Sequence, residues 1–101
     1  MKVVYHSAAE DELVLAVRYY DGQADGLGHK FLDELQSVVD DITAFPVTWP
    51  VLYADARRHQ LSHFPYGVIY RVVGDVVRVL AVSNLHQEPN YWKTRLEERG
   101  G

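Results

Sequence analysis

Two arginines that face each other across a predicted β-hairpin are the first candidates for chemistry in this sequence. Gly74-Asp75 is a two-residue turn signal between two valine-rich segments, which predicts a hairpin. With that turn as the loop, Arg71 lies directly opposite Arg78. Like charges in directly opposed positions destabilise a sheet, so two guanidinium groups placed side by side are expected to bind an anion.

A third arginine joins this pair if the preceding hairpin turns at Pro65-Tyr66. In that register Arg58 pairs with Val73, and Gln60 pairs with Arg71. Because side chains alternate between the two faces of a strand, Arg58 then lies on the same face as Arg71. The sequence therefore predicts a basic patch of three arginines on one face of a sheet.

Two alternatives to this patch stay open. A register slip of one residue would remove Arg58 from the face and substitute Arg57 or His59. The arginines could also be structural, as partners of nearby acidic side chains or of a C-terminal helix.

Two other residue patterns suggest a ligand site but fail on spacing. His59 and His63 on a strand lie about 13 Å apart, which is too far to share one metal ion. Gly26 and Gly28 begin a G-x-G pattern, but Phe31 occupies the third glycine position that a dinucleotide-binding loop needs. We therefore predict no metal and no cofactor.

The N-terminal half is predicted to contain a short strand at residues 2–6 and two helices. Ser7 has the character of a helix N-cap, and Glu10, three residues later, completes a capping box. The segment DGQADGLG (21–28) ends the first helix. The second helix runs from about Leu27 to Phe45. Apolar residues recur at helical spacing in both helices: Ala9, Leu13, Ala16, Val17 and Tyr20, then Leu27, Phe31, Leu35, Val38, Ile42 and Phe45.

The C-terminal half is predicted to be mainly β-structure. Its strands are expected at residues 57–63, 67–73 and 76–83, with a turn at FPYG (64–67) and a short closing helix within residues 90–100. The face without the paired arginines is the expected core face of the last hairpin, with Val68, Tyr70, Val72, Val77, Val79 and Ala81. The element order is β-α-α-β-β-β-α. It indicates an α+β fold, one domain over residues 1–101, in which an N-terminal helical hairpin packs on a small antiparallel sheet.

The charge is divided unevenly along the chain. The 101 residues carry 10 basic and 14 acidic side chains, a net charge of −4, and no cysteine. Residues 1–55 have a net charge of −7, whereas residues 56–101 have a net charge of +3. The total therefore does not exclude an anionic partner for the C-terminal half.

Neither the composition nor the apolar pattern predicts membrane insertion. The N-terminal apolar run is too short for a signal peptide, and charged residues interrupt the most apolar stretch, Val68 to Val82. The absence of cysteine fits a reducing compartment. We expect a cytoplasmic protein with no membrane partner.

Several segments together resemble the RelE/ParE superfamily of toxins from bacterial toxin–antitoxin modules. The most specific are RRHQLSHFPYGVIYRV (57–72) and VLAVSNLHQEPNYWKTR (79–95). The segments AAEDELVLAVRYYD (8–21), GLGHKFLDEL (26–35) and FPVTWP (45–50) also match, so the resemblance covers nearly the whole chain. It is closest to the ParE-like branch, and it implies the same helical hairpin on an antiparallel sheet.

The resemblance implies a type II toxin that inhibits growth, stabilises plasmids and is neutralised by a cognate antitoxin in a heteromeric complex. ParE-like members inhibit DNA gyrase by binding, whereas RelE-like members cut mRNA in the ribosome. In both branches the arginine-bearing sheet and the C-terminal segment are available to a target or an antitoxin. The matching basic residues here are Arg57, Arg58, Arg71, Arg78, Lys93 and Arg95.

The C-terminal motif departs from the superfamily pattern H-x-R-R-x-P-x-Y-W. Asn84 replaces the usual histidine, and His86 and Gln87 replace the two basic residues. Ribonuclease chemistry needs a base, an acid and cations around the phosphate. His86 or Tyr91 could act as the acid, but no base is evident, so whether the chain is an enzyme stays open.

Three functions follow from these observations. A gyrase inhibitor is favoured, because the set of catalytic residues is incomplete. The alternatives are a ribosome-dependent mRNA endoribonuclease and a degenerate, non-toxic module that still binds an antitoxin.

Overall fold

Residues 1–98 are the part of the chain that the structure, a computed structural model, describes. The strands are β1 (Lys2–Tyr5), β2 (Val51–Tyr53), β3 (Ala56–Gln60), β4 (Tyr66–Val73) and β5 (Val76–Asn84). The helices are α1 (Ser7–Gln23) and α2 (Leu27–Ala44), and a 3₁₀ turn spans Lys93–Leu96.

The strands form one sheet in the order β1-β5-β4-β3-β2. The strands β2 to β5 pair antiparallel, and β1 pairs parallel to β5. The predicted fold class is confirmed: the α1–α2 hairpin packs on one face of the sheet, although β1 makes the sheet mixed. We did not predict β2, because its three residues are all exposed and give no apolar alternation.

The core between the helices and the sheet follows the predicted apolar faces closely. All five apolar positions predicted for α1 belong to this core. Rings of Tyr20, Phe31, Phe64 and Tyr66 cluster at one end, with centroids 4.7 to 6.0 Å apart. Phe45 is an exception, since it lies beyond the last residue of α2 and is 63% exposed.

The start of α1 corrects the predicted capping box. Ser7 is already helical, because the carbonyl of His6 accepts the N–H groups of Ala9 and Glu10. The N-cap is His6, whose Nδ1 accepts the N–H of Ala8 at 3.0 Å. An imidazole nitrogen therefore does what the serine hydroxyl was expected to do.

The register of β3 against β4 also differs from the prediction. Arg58 pairs with Ile69 rather than Val73, and Gln60 pairs with Gly67 rather than Arg71. The reason is that β3 ends at Gln60 instead of residue 63. The N–H groups that follow, from Ser62 and His63, bind the carboxylate of Glu34 on α2 instead of the sheet. The strand is displaced by an even number of residues, so Arg58 keeps the face predicted for it.

A β-bulge in β5 moves one predicted core residue to the other face. Tyr70 pairs with Val79, but Ile69 pairs with Ala81, so Leu80 is the extra residue. After the bulge the alternation is reversed. Ala81 therefore joins the apolar cluster on the face away from the helices, and Val82 takes its place in the main core.

The C-terminal segment covers this second face of the sheet. Trp92 is 1% exposed and packs there with Ala56, Ile69, Leu80 and Ala81. Its indole N–H donates to the carbonyl of Pro89 at 2.9 Å. The predicted closing helix is only the 3₁₀ turn within the described residues, and positions 99 and 100 of that prediction lie outside them.

Gly28 lies where α2 packs directly against the backbone of α1, so enlarging it should destabilise the fold. A Cβ at Gly28 would lie 2.5 Å from the carbonyl oxygen of Val17 and 2.6 Å from the Asp21 carboxyl carbon. We expect Gly28→Ala to lower the free energy of unfolding in urea by about 1–3 kcal/mol. Gly22→Ala is the matched control, because nothing lies within 4 Å of a Cβ there. The control should be neutral or stabilising, by up to about 1 kcal/mol. Equal losses would contradict this account of the packing.

Glu34 should make stability depend on pH in the acid range. Burial opposes its ionisation, but hydrogen bonds from Ser62 and His63 outweigh burial and lower its pKa below 4.5. Its stabilisation is therefore complete above that value and is lost as the pH falls through the lowered pKa. Glu34→Gln should destabilise the protein by about 1–2 kcal/mol at neutral pH and flatten the decline between about pH 5 and 3.

The neighbouring acid provides the control for Glu34. Asp33 faces only His29, with side-chain exposures of 69% and 77%, respectively. Asp33→Asn should therefore change the acid profile little. A profile for Glu34→Gln that parallels the wild type would show that these hydrogen bonds do not hold the turn.

Candidate functional site

The two predicted hairpin arginines lie directly opposite each other on the sheet face away from the helices, as expected. Arg71 is engaged by its surroundings. Its Nη2 and Nε donate to the Asp55 carboxylate at 2.9 and 3.3 Å, and its Nη1 donates to the carbonyl of Leu96 at 3.1 Å. Arg71 thus has the structural role weighed as an alternative, because it holds the C-terminal segment on the sheet.

Arg78 differs from Arg71 in having no such partner. Within residues 1–98 no carboxylate lies within ion-pair distance of its guanidinium and no hydrogen bond engages it. Its side chain is half-buried in a hollow of about 480 Å³ between β4, β5 and the C-terminal segment. We call this hollow the arginine cleft; its charged lining residues are Arg71, Arg78, Arg95, Glu97 and Glu98.

Arg95 lines the same cleft but is held by a partly buried ion pair with Glu12 of α1. Two of its nitrogens donate to the two Glu12 oxygens at 2.9 and 3.2 Å, and one also donates to the carbonyl of Leu80 at 3.0 Å. Burial opposes the charge on Arg95, but Glu12 outweighs burial and raises the pKa of the guanidinium. The same carboxylate accepts the N–H of Val82 at 3.1 Å.

The remaining predicted basic residues lie apart from the cleft. Arg57 donates to the carbonyls of Val47 and Trp49 at 3.2 and 2.7 Å and so fixes the loop before β2. Lys93 lies 3.9 Å above the ring centroid of Tyr53. Both contacts indicate structural roles.

Arg58 lies on the same sheet face as the arginine cleft but in a different hollow. The aliphatic part of the Arg58 side chain packs over Gly67. A Cβ added at Gly67 would lie 3.0 Å from the Cγ and Cδ atoms of Arg58. This hollow is at the β3 edge, beside Trp49, whose ring stacks on His59 at 4.1 Å. The apolar cluster around Trp92 occupies the same face, so the three arginines do not line one continuous site.

The two candidate proton donors lie in different environments. His86 is exposed in the turn after β5, where its N–H donates to the Asn84 side chain at 2.9 Å. The hydroxyl of Tyr91 is buried and forms no well-aligned hydrogen bond among the described residues. Burial, reinforced by the nearby Glu12 carboxylate, raises the pKa of Tyr91 to about 12. This placement suits a packing role for Tyr91.

Sequence reasoning missed Glu12, although one signal was present. Glu12 lies one helical turn before the buried Ala16 and therefore at the margin of the core face of α1. An acidic residue at such a margin needs a partner, and its partner Arg95 is 83 residues away in the sequence. Nothing local in the sequence indicates that pairing.

No group of three or more histidine, aspartate or glutamate side chains within residues 1–98 could hold a metal ion. Neither α1 nor α2 is long and apolar enough to cross a membrane.

The chain belongs to the ParE toxin family of type II toxin–antitoxin systems, parDE, whose family model matches residues 3–91. It is similar to Toxin ParE2 of Mycobacterium tuberculosis, in strains CDC 1551 and H37Rv. The identity is 30% over 98 residues, which cover 93% of this chain and 90% of the relative. The fold is similar to a solved structure described as the chromosomal ParDE TA system from P. aeruginosa. That match has a TM-score of 0.64 at 17% identity and covers 85% of this chain and 97% of the other.

Tyr91→Phe tests whether the buried hydroxyl has a catalytic role. The substitution removes an oxygen without a well-aligned partner and leaves the ring in place. We expect the free energy of unfolding to change by less than about 1 kcal/mol, and expression of the variant to affect growth as expression of the wild type does. A folded Tyr91→Phe protein with a smaller effect on growth than the wild type would instead support a proton-donor role.

Proposed function

We propose that the chain is a cytoplasmic toxin that inhibits DNA gyrase by binding and is neutralised by a cognate antitoxin in a heteromeric complex. Its membership in the ParE family supports this proposal. The observation that carries the choice of binding over cleavage is the buried Tyr91 hydroxyl, whose pKa is raised to about 12.

A ribonuclease must bring an acid, a base and cations to one phosphate. Here the tyrosine that could serve as the acid is buried, whereas His86 is exposed in a turn. Arg71 and Arg95 already hold carboxylates of this chain. These contacts favour inhibition by binding over phosphodiester cleavage.

An exposed apolar surface on α1 supports a protein partner. Helix α1 buries one apolar face in the core, and it also exposes Val14, Leu15 and Tyr19 at 46%, 64% and 59%. Leu15 and Tyr19 border a groove of about 300 Å³ that continues to Val82 of β5, which we call the α1–β5 groove. In a toxin–antitoxin pair, the apolar part of an antitoxin segment is the natural occupant of this groove.

Purified protein should inhibit the supercoiling of relaxed plasmid by gyrase. Antitoxin mixed with the protein beforehand should prevent this inhibition. Expression without the antitoxin should arrest growth, and mapped mRNA ends should show no new cuts in phase with the ribosomal A site. Heat-denatured protein is the control for non-specific inhibition.

Each contrary result identifies a different function. Unchanged supercoiling at a large molar excess would exclude gyrase as the target. New A-site-phased cuts would identify an endoribonuclease. Normal growth, with intact antitoxin binding, would identify a degenerate antitoxin-binding module.

A further inference from the structure

We propose that the arginine cleft binds an acidic side chain of the antitoxin, on a segment whose apolar residues lie in the α1–β5 groove. This inference rests on the proposed toxin–antitoxin function and specifies where, and with what chemistry, the antitoxin is held. It depends on three features: an unmatched charge, the lining of the cleft and the position of the cleft next to the groove.

The unmatched charge is Arg78. It lies directly opposite Arg71, so the hairpin carries two cations side by side, which disfavours the sheet unless an anion offsets them. Asp55 offsets Arg71, but no carboxylate among residues 1–98 is within ion-pair distance of Arg78. A carboxylate entering the cleft would form a charge-assisted hydrogen bond with this guanidinium.

The lining of the cleft favours one carboxylate over a nucleic-acid backbone. Exposed Glu97 and Glu98 form part of the rim, and apolar Leu80 and Leu96 form part of the wall. Duplex DNA carries one negative charge per about 1.7 Å of its axis, so its backbone would meet these rim carboxylates and be repelled. A single acidic residue with an apolar neighbour would bring one charge to Arg78 and apolar surface to Leu80 and Leu96. The net charge of −4 also weakens long-range attraction to a polyanion.

The cleft and the groove are adjacent at the partly buried ion pair between Glu12 and Arg95. Glu12 lines the α1–β5 groove and Arg95 lines the arginine cleft, and the two side chains are bonded at 2.9 Å. The two hollows therefore lie on either side of this ion pair, and a segment that occupies both must cross it. The expected pattern of such a segment is apolar residues followed or preceded by an aspartate or glutamate.

The decisive experiment measures the affinity of the full-length cognate antitoxin for variants of the full chain by calorimetry. We expect Arg78→Glu to weaken binding by about 10- to 100-fold, because it replaces a charge-assisted contact by repulsion. Arg58→Glu is the matched control. It makes the same charge change on the same sheet face in the other hollow, and it should weaken binding less than about threefold. Arg71 is unsuitable, since it holds the C-terminal segment in place.

Two further measurements guard against indirect effects. The unfolding midpoint of Arg78→Gln tests whether the arginine itself is needed for folding, and this variant should also bind the antitoxin less tightly. Replacing antitoxin acids by lysine one at a time should reveal a position whose variant binds Arg78→Glu better than it binds the wild type. Such a rescue identifies the acidic side chain that enters the cleft.

The outcomes separate this inference from the proposed function. If Arg78→Glu still arrests growth but escapes neutralisation, both stand. If its antitoxin affinity equals that of the wild type, the cleft assignment is wrong, whether or not the wild type inhibits gyrase. If Arg78→Glu loses growth arrest while binding the antitoxin normally, the cleft serves the target instead. If a short DNA duplex binds the wild type and Arg78→Glu abolishes that binding, the ligand is nucleic acid and the inference is overturned.

Discussion

The ion pair between Glu12 and Arg95 is the interaction on which the arrangement of the C-terminal half depends. The side chains are 18% and 13% exposed, and together they bind the Val82 N–H and the Leu80 carbonyl of β5. β1 pairs with β5 only as far as Val79, so these backbone groups lie beyond its reach. The pair thus completes the hydrogen bonding of β5 beside its bulge. Removing either side chain would leave the other without its partner in a partly buried site, a loss of about 1–3 kcal/mol.

Several other contacts hold the C-terminal segment in the same position as this ion pair does. Trp92 fills the second apolar cluster, Arg71 holds the carbonyl of Leu96, and His6 contacts the Glu98 carboxylate. His6 also caps α1, so the start of the first helix and the end of the described chain meet at one imidazole. Because these contacts fix the C-terminal segment on the sheet face away from the helices, that face carries separate hollows at Arg58 and at Arg78.

Arginine therefore serves two purposes on this sheet face, and the partners of each guanidinium distinguish them, since all four side chains are partly buried. Arg71 and Arg95 are saturated by carboxylates and carbonyls of the chain, whereas Arg78 and Arg58 have no such partners among residues 1–98. Arg71 and Arg95 hold the C-terminal segment on the sheet, whereas the guanidinium of Arg78 lines the arginine cleft.

The sequence by itself determined the helical hairpin, the α+β class, the family and the Arg71–Arg78 pairing. These depend on local signals: apolar spacing in α1 and α2, the Gly74-Asp75 turn and contiguous motifs. Only the tertiary structure decided the register of β3, because the distant Glu34 carboxylate binds the N–H groups that follow the strand. It also decided the face on which Ala81 lies, because the bulge in β5 reverses the alternation of side chains. The tertiary structure also decided which arginines have partners within the chain. Asp55 and the Leu96 carbonyl lie 16 and 25 residues from Arg71, and Glu12 lies 83 residues from Arg95, farther than any local pattern reaches. Side chains that meet only after folding leave no periodic trace in the sequence.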